Sequence, residues 1–410
     1  MNLYGIIILT ALLADYILGI ISNTMNLSAM SGELPEEFEG FYNSADYVKS
    51  QDYTRATTKF GLFTSTFDLC LILLFWFAGG FQYFDGIIRG WQLHPVLAGL
   101  AYIGILLFVK MLLGIPFSIY LTFVIEERFG FNKTTRGTFI ADLLKGLALT
   151  VVLGGPFLAG MLAFFQYAGE YAWVYCWIVA TAYTLIIQFI APAWILPIFN
   201  KFSPLGDGEL KERIMEYARK VKYSLAGVYV IDGSRRSSKS NAYFTGFGKN
   251  KRIALFDTLV EKHTVPELVA VLAHEIGHYK KKHILQGMII SILHTGAMFF
   301  LLSVFLSHEG LFRAFYMENS SIYAGFIFFG MLFTPIELVL SVFMSILSRH
   351  NEFQADRFSA ETFGEPDAMI HALKKLSVHN LSNLRPHSFF VFLNYSHPPV
   401  LKRIEAIRNL

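Results

Sequence analysis

Seven stretches of this chain are long and apolar enough to cross a bilayer, and that property leaves few folds open to it. They run roughly from Leu3 to Ile21, Gly61 to Gly80, Val96 to Val124, Phe139 to Phe165, Ala172 to Ile198, Ile284 to Leu306 and Ile322 to Leu347. Hydrocarbon offers no water to backbone N–H and C=O groups, so each stretch must close its hydrogen bonds internally, as a helix does. The expected fold is an α-helical polytopic membrane protein. Composition agrees: 54 % hydrophobic and 16 % charged, with 40 Phe and a mean hydropathy of +0.46, this is not an ordinary soluble domain.

The first stretch lacks a basic lead-in and a small-residue cleavage site and carries Asp15, so it reads as an anchor that stays. Cys70 and Cys176 both fall inside apolar stretches, which implies neither a disulfide framework nor a cysteine metal site. Polar segments follow the fifth and seventh stretches. Between Asn200 and His283 there are 16 Lys or Arg against 9 Asp or Glu, and Lys280, Lys281 and Lys282 stand just before a span. By the positive-inside tendency these segments face the cytoplasm. Basic residues beside membrane spans need no nucleic-acid partner, and none is expected.

Within the first polar segment lies His274-Glu275-Ile276-Gly277-His278. On a helix, positions i and i+4 share a face, so both imidazoles can reach one ion. Glu275 then lies beside an open coordination position, where a carboxylate can take a proton from an activated water. Thr264-Val265-Pro266-Glu267 supplies the helix start, with Thr264 as N-cap and Glu267 completing a capping box. From there the apolar pattern runs through Lys282 into the sixth span without a proline. A third ligand is sought in Arg349-His350-Asn351-Glu352-Phe353-Gln354-Ala355-Asp356-Arg357, which continues the seventh span as helix. Glu352 and Asp356 share a face; the first can bind zinc and the second can accept the free ring N–H of a ligating histidine. An isolated pair of this kind is more often a solvated acidic face. Geometry favours the site: His278 stands ~9 Å before the sixth span and Glu352 ~8 Å beyond the seventh, so both meet at one membrane border.

Asp68, Lys110, Asp142, Lys145, His294 and Glu337 fall inside the spans, where charge is costly unless it faces water or a partner. A polar cavity enclosed by the helices and open to the metal site is expected, against a plainer account of pairing between helices. Asp207 to Lys222 reads as a helix, and Val228 to Asp232, Asn241 to Phe247 and Arg252 to Asp257 as strands, the last two joined by Gly248-Lys249-Asn250. A sheet edge beside the metal helix can hold an extended peptide through its main chain. Near the end, His397 precedes Pro398 and Pro399; as a donor it could stabilise an oxyanion, and otherwise it is a turn residue.

Together these residues resemble the type I CAAX prenyl endopeptidase family, seven-span zinc proteases that process C-terminal CAAX proteins. The likeness rests on Glu126-Glu127-Arg128-Phe129-Gly130-Phe131-Asn132-Lys133-Thr134-Thr135, Phe199 to Leu205, Ser240-Asn241-Ala242-Tyr243-Phe244, Lys251-Arg252-Ile253 with Leu255 to Leu259, the HEIGH helix, Glu352 to Asp356 and His397-Pro398-Pro399. The resemblance implies seven helices enclosing a chamber, capped by a mainly helical zinc-metalloprotease domain with a small β-sheet. It implies one Zn2+ held by His274, His278 and Glu352, with Glu275 as base and Asp356 behind the ligands or as an auxiliary proton donor. Asn241 and Ala242 would lie on the substrate-binding edge, and His397 and Arg403 would contact substrate or transition state. The expected organisation is 1–198 as spans one to five, 199–283 as the first part of the protease domain, 284–347 as spans six and seven, and 348–410 as its second part.

The expected function is thus an integral-membrane zinc endopeptidase acting on peptide or protein substrates, C-terminally prenylated ones among them. Its membrane would be the endoplasmic reticulum in a eukaryote or the cytoplasmic membrane in a prokaryote. One alternative is a quality-control protease that cuts non-prenylated membrane proteins. A second is a metal-dependent transporter or channel with a structural ion, against which Glu275 and the count of three ligands speak.

Overall fold

The computed structural model describes residues 1–245 and 251–410, the side chains of 243–245 excepted. Seven helices suited to spanning a membrane are present among them: Leu3–Ser28, Ser44–Phe77, Pro95–Glu126, Arg136–Tyr167, Gly169–Phe199, His283–Leu306 and Ile322–Phe363. Six contain an expected stretch whole. The second ends at Phe77, three residues short of Gly80, because a turn at Ala78 and Gly79 starts a separate helix at Gly80. Two run well beyond their stretch. The second begins 17 residues earlier than hydropathy indicates, at the cap made by Asn43 accepting the N–H of Asp46 at 2.8 Å. The seventh carries on through Arg349 and Glu352 to Phe363, ending where Gly364 adopts φ +83°.

The spans pack loosely: only 6 % to 22 % of the apolar window of each is buried against protein. The ionisable residues of the spans sit in this setting as partners. Asp68 pairs with Lys110 across the second and third spans, both about half accessible, and His294 Nε2 lies 3.0 Å from Glu337 Oε1 across the sixth and seventh. Asp142 receives both arms of the Arg236 guanidinium at 2.7 and 2.9 Å, and Lys145 donates to the carbonyl of Ile198 at 2.8 Å. Each of the six thus stands beside a polar group of another element, as the plainer account of pairing between helices expects.

The end of the bundle distant from the polar segments is closed by aromatic packing. Phe315 stacks on Phe328 with centroids 3.9 Å apart, Phe81 meets both edge-on, and Trp76 donates its ring N–H to the carbonyl of Ala314 at 2.8 Å. Buried Asp85 joins this closure by accepting from Tyr323 at 2.5 Å and Arg89 at 2.6 Å.

At the other end the two polar segments form one unit around the metal helix Val265–Lys280. Four strands pair in the order β1-β2-β4-β3, with β1 Phe202–Pro204, β2 Gly227–Ile231, β3 Ala242–Thr245 and β4 Arg252–Phe256. β2 and β4 are parallel; β1 and β3 flank them antiparallel. β1 was not expected, because three residues carry too little periodicity to announce a strand. The strand that precedes the metal helix, β4, is internal; the sheet's edges are β1 and β3, and β3 is the one that pairs with β4. The Gly248-Lys249-Asn250 connection lies outside the described residues. Apolar residues of β2 and β4, helix Glu209–Lys220 and the metal helix share one core, including Ile214, Val228, Ile253, Leu255, Val269 and Ile276.

Candidate metal centre

The metal helix starts as its sequence dictates. The N–H of Thr264 is taken by Glu267 Oε2 at 2.8 Å in a complete capping box, and Lys375 anchors the same carboxylate at 2.8 Å. The helix then packs on the last turns of the seventh helix at close range. A Cβ on Gly277 would stand 3.1 Å from Ala355 Cα and 3.2 Å from its carbonyl oxygen, so the absent side chain allows the approach. Ser359 Oγ donates to the carbonyl of Ala270 at 2.9 Å one turn further along the contact.

That approach brings Glu352 to the paired imidazoles. Nε2 of His278 lies 3.2 Å from Nε2 of His274 and 3.2 Å from Glu352 Oε1, and His274 Nε2 lies 3.5 Å from Glu352 Oε2. One donor atom from each residue falls within 4.8 Å of the others. Glu352 Oε2 is buried without a hydrogen-bond partner; Arg403 Nη1 stands beside it at 3.4 Å without bonding it, which leaves a lone pair for a metal cation. Two imidazoles and one carboxylate, with a coordination position left open, fit a catalytic metal and zinc in particular.

Asp356 Oδ1 accepts from His274 Nδ1 at 2.8 Å, which turns the Nε2 lone pair inward. Burial works against charge on His274, but the bonds to Asp356 and Glu352 outweigh it and raise the imidazole to about 9. The carboxylates that draw a proton to this ring would draw a metal cation to the same place. Burial pushes the Glu275 carboxyl above its ordinary range, with His274 and His278 pulling the other way.

Arg403 is buried. Its guanidinium grips Asp356 through Nε and Nη2 at 2.8 and 2.6 Å, and Nη1 lies 3.4 Å from Glu352 Oε2. The sequence expectation was of contact with substrate; this geometry ties Arg403 first to the carboxylate behind His274. His397 Nε2 stands 3.4 Å from Glu352 Oε1 with its side chain 64 % accessible, at a bend held by Arg349 bonding to the carbonyls of Val391 and Tyr395 at 3.0 and 2.5 Å.

His397, Arg403 and Asn241 line a common cleft of ≈ 540 Å³. Asn380 occupies both the N–H and the C=O of Ser240, the Asn241 carbonyl accepts from Phe256 at 3.1 Å, and Asn241 Oδ1 takes the Ala242 N–H at 2.8 Å, so the Asn241 side chain covers the start of the outer edge of β3. A second pocket of ≈ 460 Å³, with Glu275, His278, His283, Met344 and Leu347 in its walls, opens between the sixth and seventh helices. The sequence reading missed His283 and Gln354, which stand behind His278: Nδ1 of His278 lies 3.0 Å from Nδ1 of His283. No spacing rule signals that contact.

A seven-span bundle with an HExxH helix and a distant glutamate at one membrane border defines a membrane-embedded metallopeptidase. Comparison with known proteins agrees. Residues 23–201 match the family model described as the CAAX prenyl protease N-terminal domain with five membrane helices, and residues 204–410 match peptidase family M48. CAAX prenyl protease 1 of Saccharomyces cerevisiae is 36 % identical over 92 % of this chain and 88 % of its own, and the human homolog is 34 % identical over 92 % and 89 %. The crystal structure of S. mikatae Ste24p superposes with a TM-score of 0.93 at 33 % identity, covering 99 % of both chains. The chain belongs to the CAAX prenyl protease 1 family within peptidase family M48. It is a multi-pass membrane metalloendopeptidase acting on peptide or protein substrates.

Proposed function

We propose that this enzyme is a zinc endopeptidase that trims the C-terminal residues of prenylated CAAX proteins, with its metal side facing the cytoplasm. The observation that carries the site assignment is the convergence of His274, His278 and Glu352 around a buried carboxylate oxygen left without a hydrogen bond. The substrate class is supported by the relatives, which are named CAAX prenyl protease 1. The cytoplasmic side is supported by Lys280, Lys281 and Lys282 at the border of the sixth span. In this reading 1–198 and 284–347 form the membrane chamber, and 199–283 with 348–410 form the protease unit.

Zinc held by these three residues would polarise the scissile carbonyl and lower the pKa of the attacking water toward ~7. Glu275 takes the proton from that water and delivers it to the leaving amine, a task that a carboxyl with a raised pKa performs well. His397, accessible in the cleft, donates a hydrogen bond to the oxyanion. Asn241 and Ala242 hold the extended peptide along the edge of β3, parallel to the main-chain recognition used at other sheet edges. Asp356 keeps His274 in the tautomer that offers Nε2 to the ion, and Arg403 keeps Asp356 in place.

Purified protein in nanodiscs is to be given a farnesylated CAAX peptide and its unmodified twin, with products read by mass spectrometry and bound metal by elemental analysis. One zinc per chain and preferred release of the C-terminal residues from the farnesylated peptide are expected. Glu275→Gln should keep the metal and lose cleavage. Undiminished turnover in that variant would overturn the site assignment, and equal cleavage of both peptides would point to quality control as the task.

A further inference from the structure

The two histidines that face the candidate ion are backed in different ways. Behind His274 stands a carboxylate; behind His278 stands another imidazole. His283 reaches this place because the metal helix does not continue into the sixth span. It ends at Lys280, Lys282 takes a left-handed conformation at φ +64°, and a new helix begins at His283, whose ring thereby turns back beneath His278. His283 is buried to 9 % accessibility.

From there the contacts form a chain. His278 Nδ1 lies 3.0 Å from His283 Nδ1, His283 Nε2 lies 3.0 Å from Gln354 Oε1, and Gln354 Nε2 lies 2.8 Å from His350 Nε2. Only one polarity satisfies all three bonds once His278 offers its Nε2 lone pair inward. The His278 ring proton then sits on Nδ1 and is donated to the bare Nδ1 of His283. His283 in turn donates from Nε2 to the Gln354 carbonyl, and the Gln354 amide donates to His350. The amide cannot be turned over without placing its NH2 against the His283 N–H. Gln354 belongs to the same turns of the seventh helix as Glu352, so the element that supplies the third ligand also fixes the orientation of the second.

We propose that His283 is a positioning residue for the metal ligand His278, held in its accepting tautomer by Gln354. The inference rests on the reading of His274, His278 and Glu352 as metal ligands. A neutral acceptor fixes the ring without adding a further carboxylate beside Glu352, Asp356 and Glu275. The HExxH pattern does not contain this residue, and Asp356 does not reach the same ring, so His278 depends on it for the direction of its lone pair.

The test uses metal-loaded protein in nanodiscs and follows loss of the ion to excess chelator. His283→Leu keeps the buried volume and removes the acceptor. Outer ligand partners of this kind typically govern metal affinity by roughly 10- to 100-fold, and release from this variant should accelerate by that order. His283→Asn places an amide oxygen near the former Nδ1 and should recover most of the retention. Gln354→Met, acting from the other helix, should accelerate release by a smaller factor. The melting temperatures of the metal-stripped variants should match the parent, which separates lost orientation from lost packing. The proposal is overturned if His283→Leu holds metal as long as the parent, if Asn and Leu behave alike, or if the metal-stripped His283→Leu protein melts earlier by enough to account for its loss. A parent that binds no ion, or that keeps it after His274→Ala, would instead refute the metal site itself.

Discussion

Arg403 and Asp356 meet fork to fork inside the protein, and such a pair is worth little against an apolar replacement yet costly to break. Removing one partner of a buried pair commonly costs about 3–5 kcal/mol, because the other charge stays behind. Arg403→Ala is therefore expected to lower the melting temperature and to weaken metal retention together. Arg403→Lys should rescue little, since an ammonium cannot make two parallel bonds. Chelator challenge and thermal unfolding of both variants check this. A variant with full stability and full metal content, altered only in KM, would return Arg403 to the substrate-contact role expected from sequence.

The decisive contact between elements is the one between the metal helix and the end of the seventh helix, and Gly277 sets its distance. Replacing Gly277 by Ala gains about 1 kcal/mol of helix propensity. The new Cβ would meet the backbone of Ala355 at 3.1 and 3.2 Å, and backbone cannot swing aside as a flexible side chain can. Overpacking costs typically about 1–3 kcal/mol, so the net effect is destabilising. Separation of the two helices also spreads His278 from Glu352, and faster metal release should accompany the lower melting temperature.

At the junction that follows, Lys282 carries a positive φ, which strains an L side chain. Lys282→Gly should be neutral or stabilising and Lys282→Val destabilising, as thermal unfolding will show. At the opposite end of the metal helix, helix Pro366–His379 docks with His379 facing His263, and burial, with Lys262, lowers His379 from 6.5 to about 4. The unfolded chain binds that proton more readily than the folded one, so stability is full above pH 6.5 and is lost as pH falls toward 4. Melting temperature should decline across that window, and His379→Gln should flatten the decline.

Across the whole molecule, the protease unit is tied to the membrane chamber by the segment before β3. Arg236 grips Asp142 of the fourth span and Asn200 at the end of the fifth, while the carbonyls of Arg236 and Phe131 bond Lys133 and Ser238. Lys239 reaches Tyr53 of the second span at 2.7 Å and Glu126 of the third at 3.2 Å. Four spans thus converge on the few residues that lead into the candidate substrate edge. Arg236→Ala and Asp142→Ala should each lower stability by about 1.5–3 kcal/mol, the range for charged hydrogen bonds. Their coupling in the double variant should be non-additive, because both remove the same bonds. Additive losses in thermal unfolding would show that the pair does not act as a unit.

Local rules were enough to read the seven spans, the capped metal helix, the HExxH face and the continuation of the seventh helix to Glu352. Each follows from a periodicity or a cap written within a few residues, and the lipid requirement for closed backbone hydrogen bonds left helices as the answer. The meeting of Glu352 with the imidazoles could be anticipated because two helices crossing the same bilayer must end at the same border. The long polar start of the second span, the short strand β1 and the break at Lys282 follow from contacts with distant segments, which no local pattern encodes. The same holds for Arg403 behind Asp356 and His283 behind His278. Orientation of a ring or a guanidinium is decided by what packs against it, and those neighbours are brought together only when the chain closes on itself.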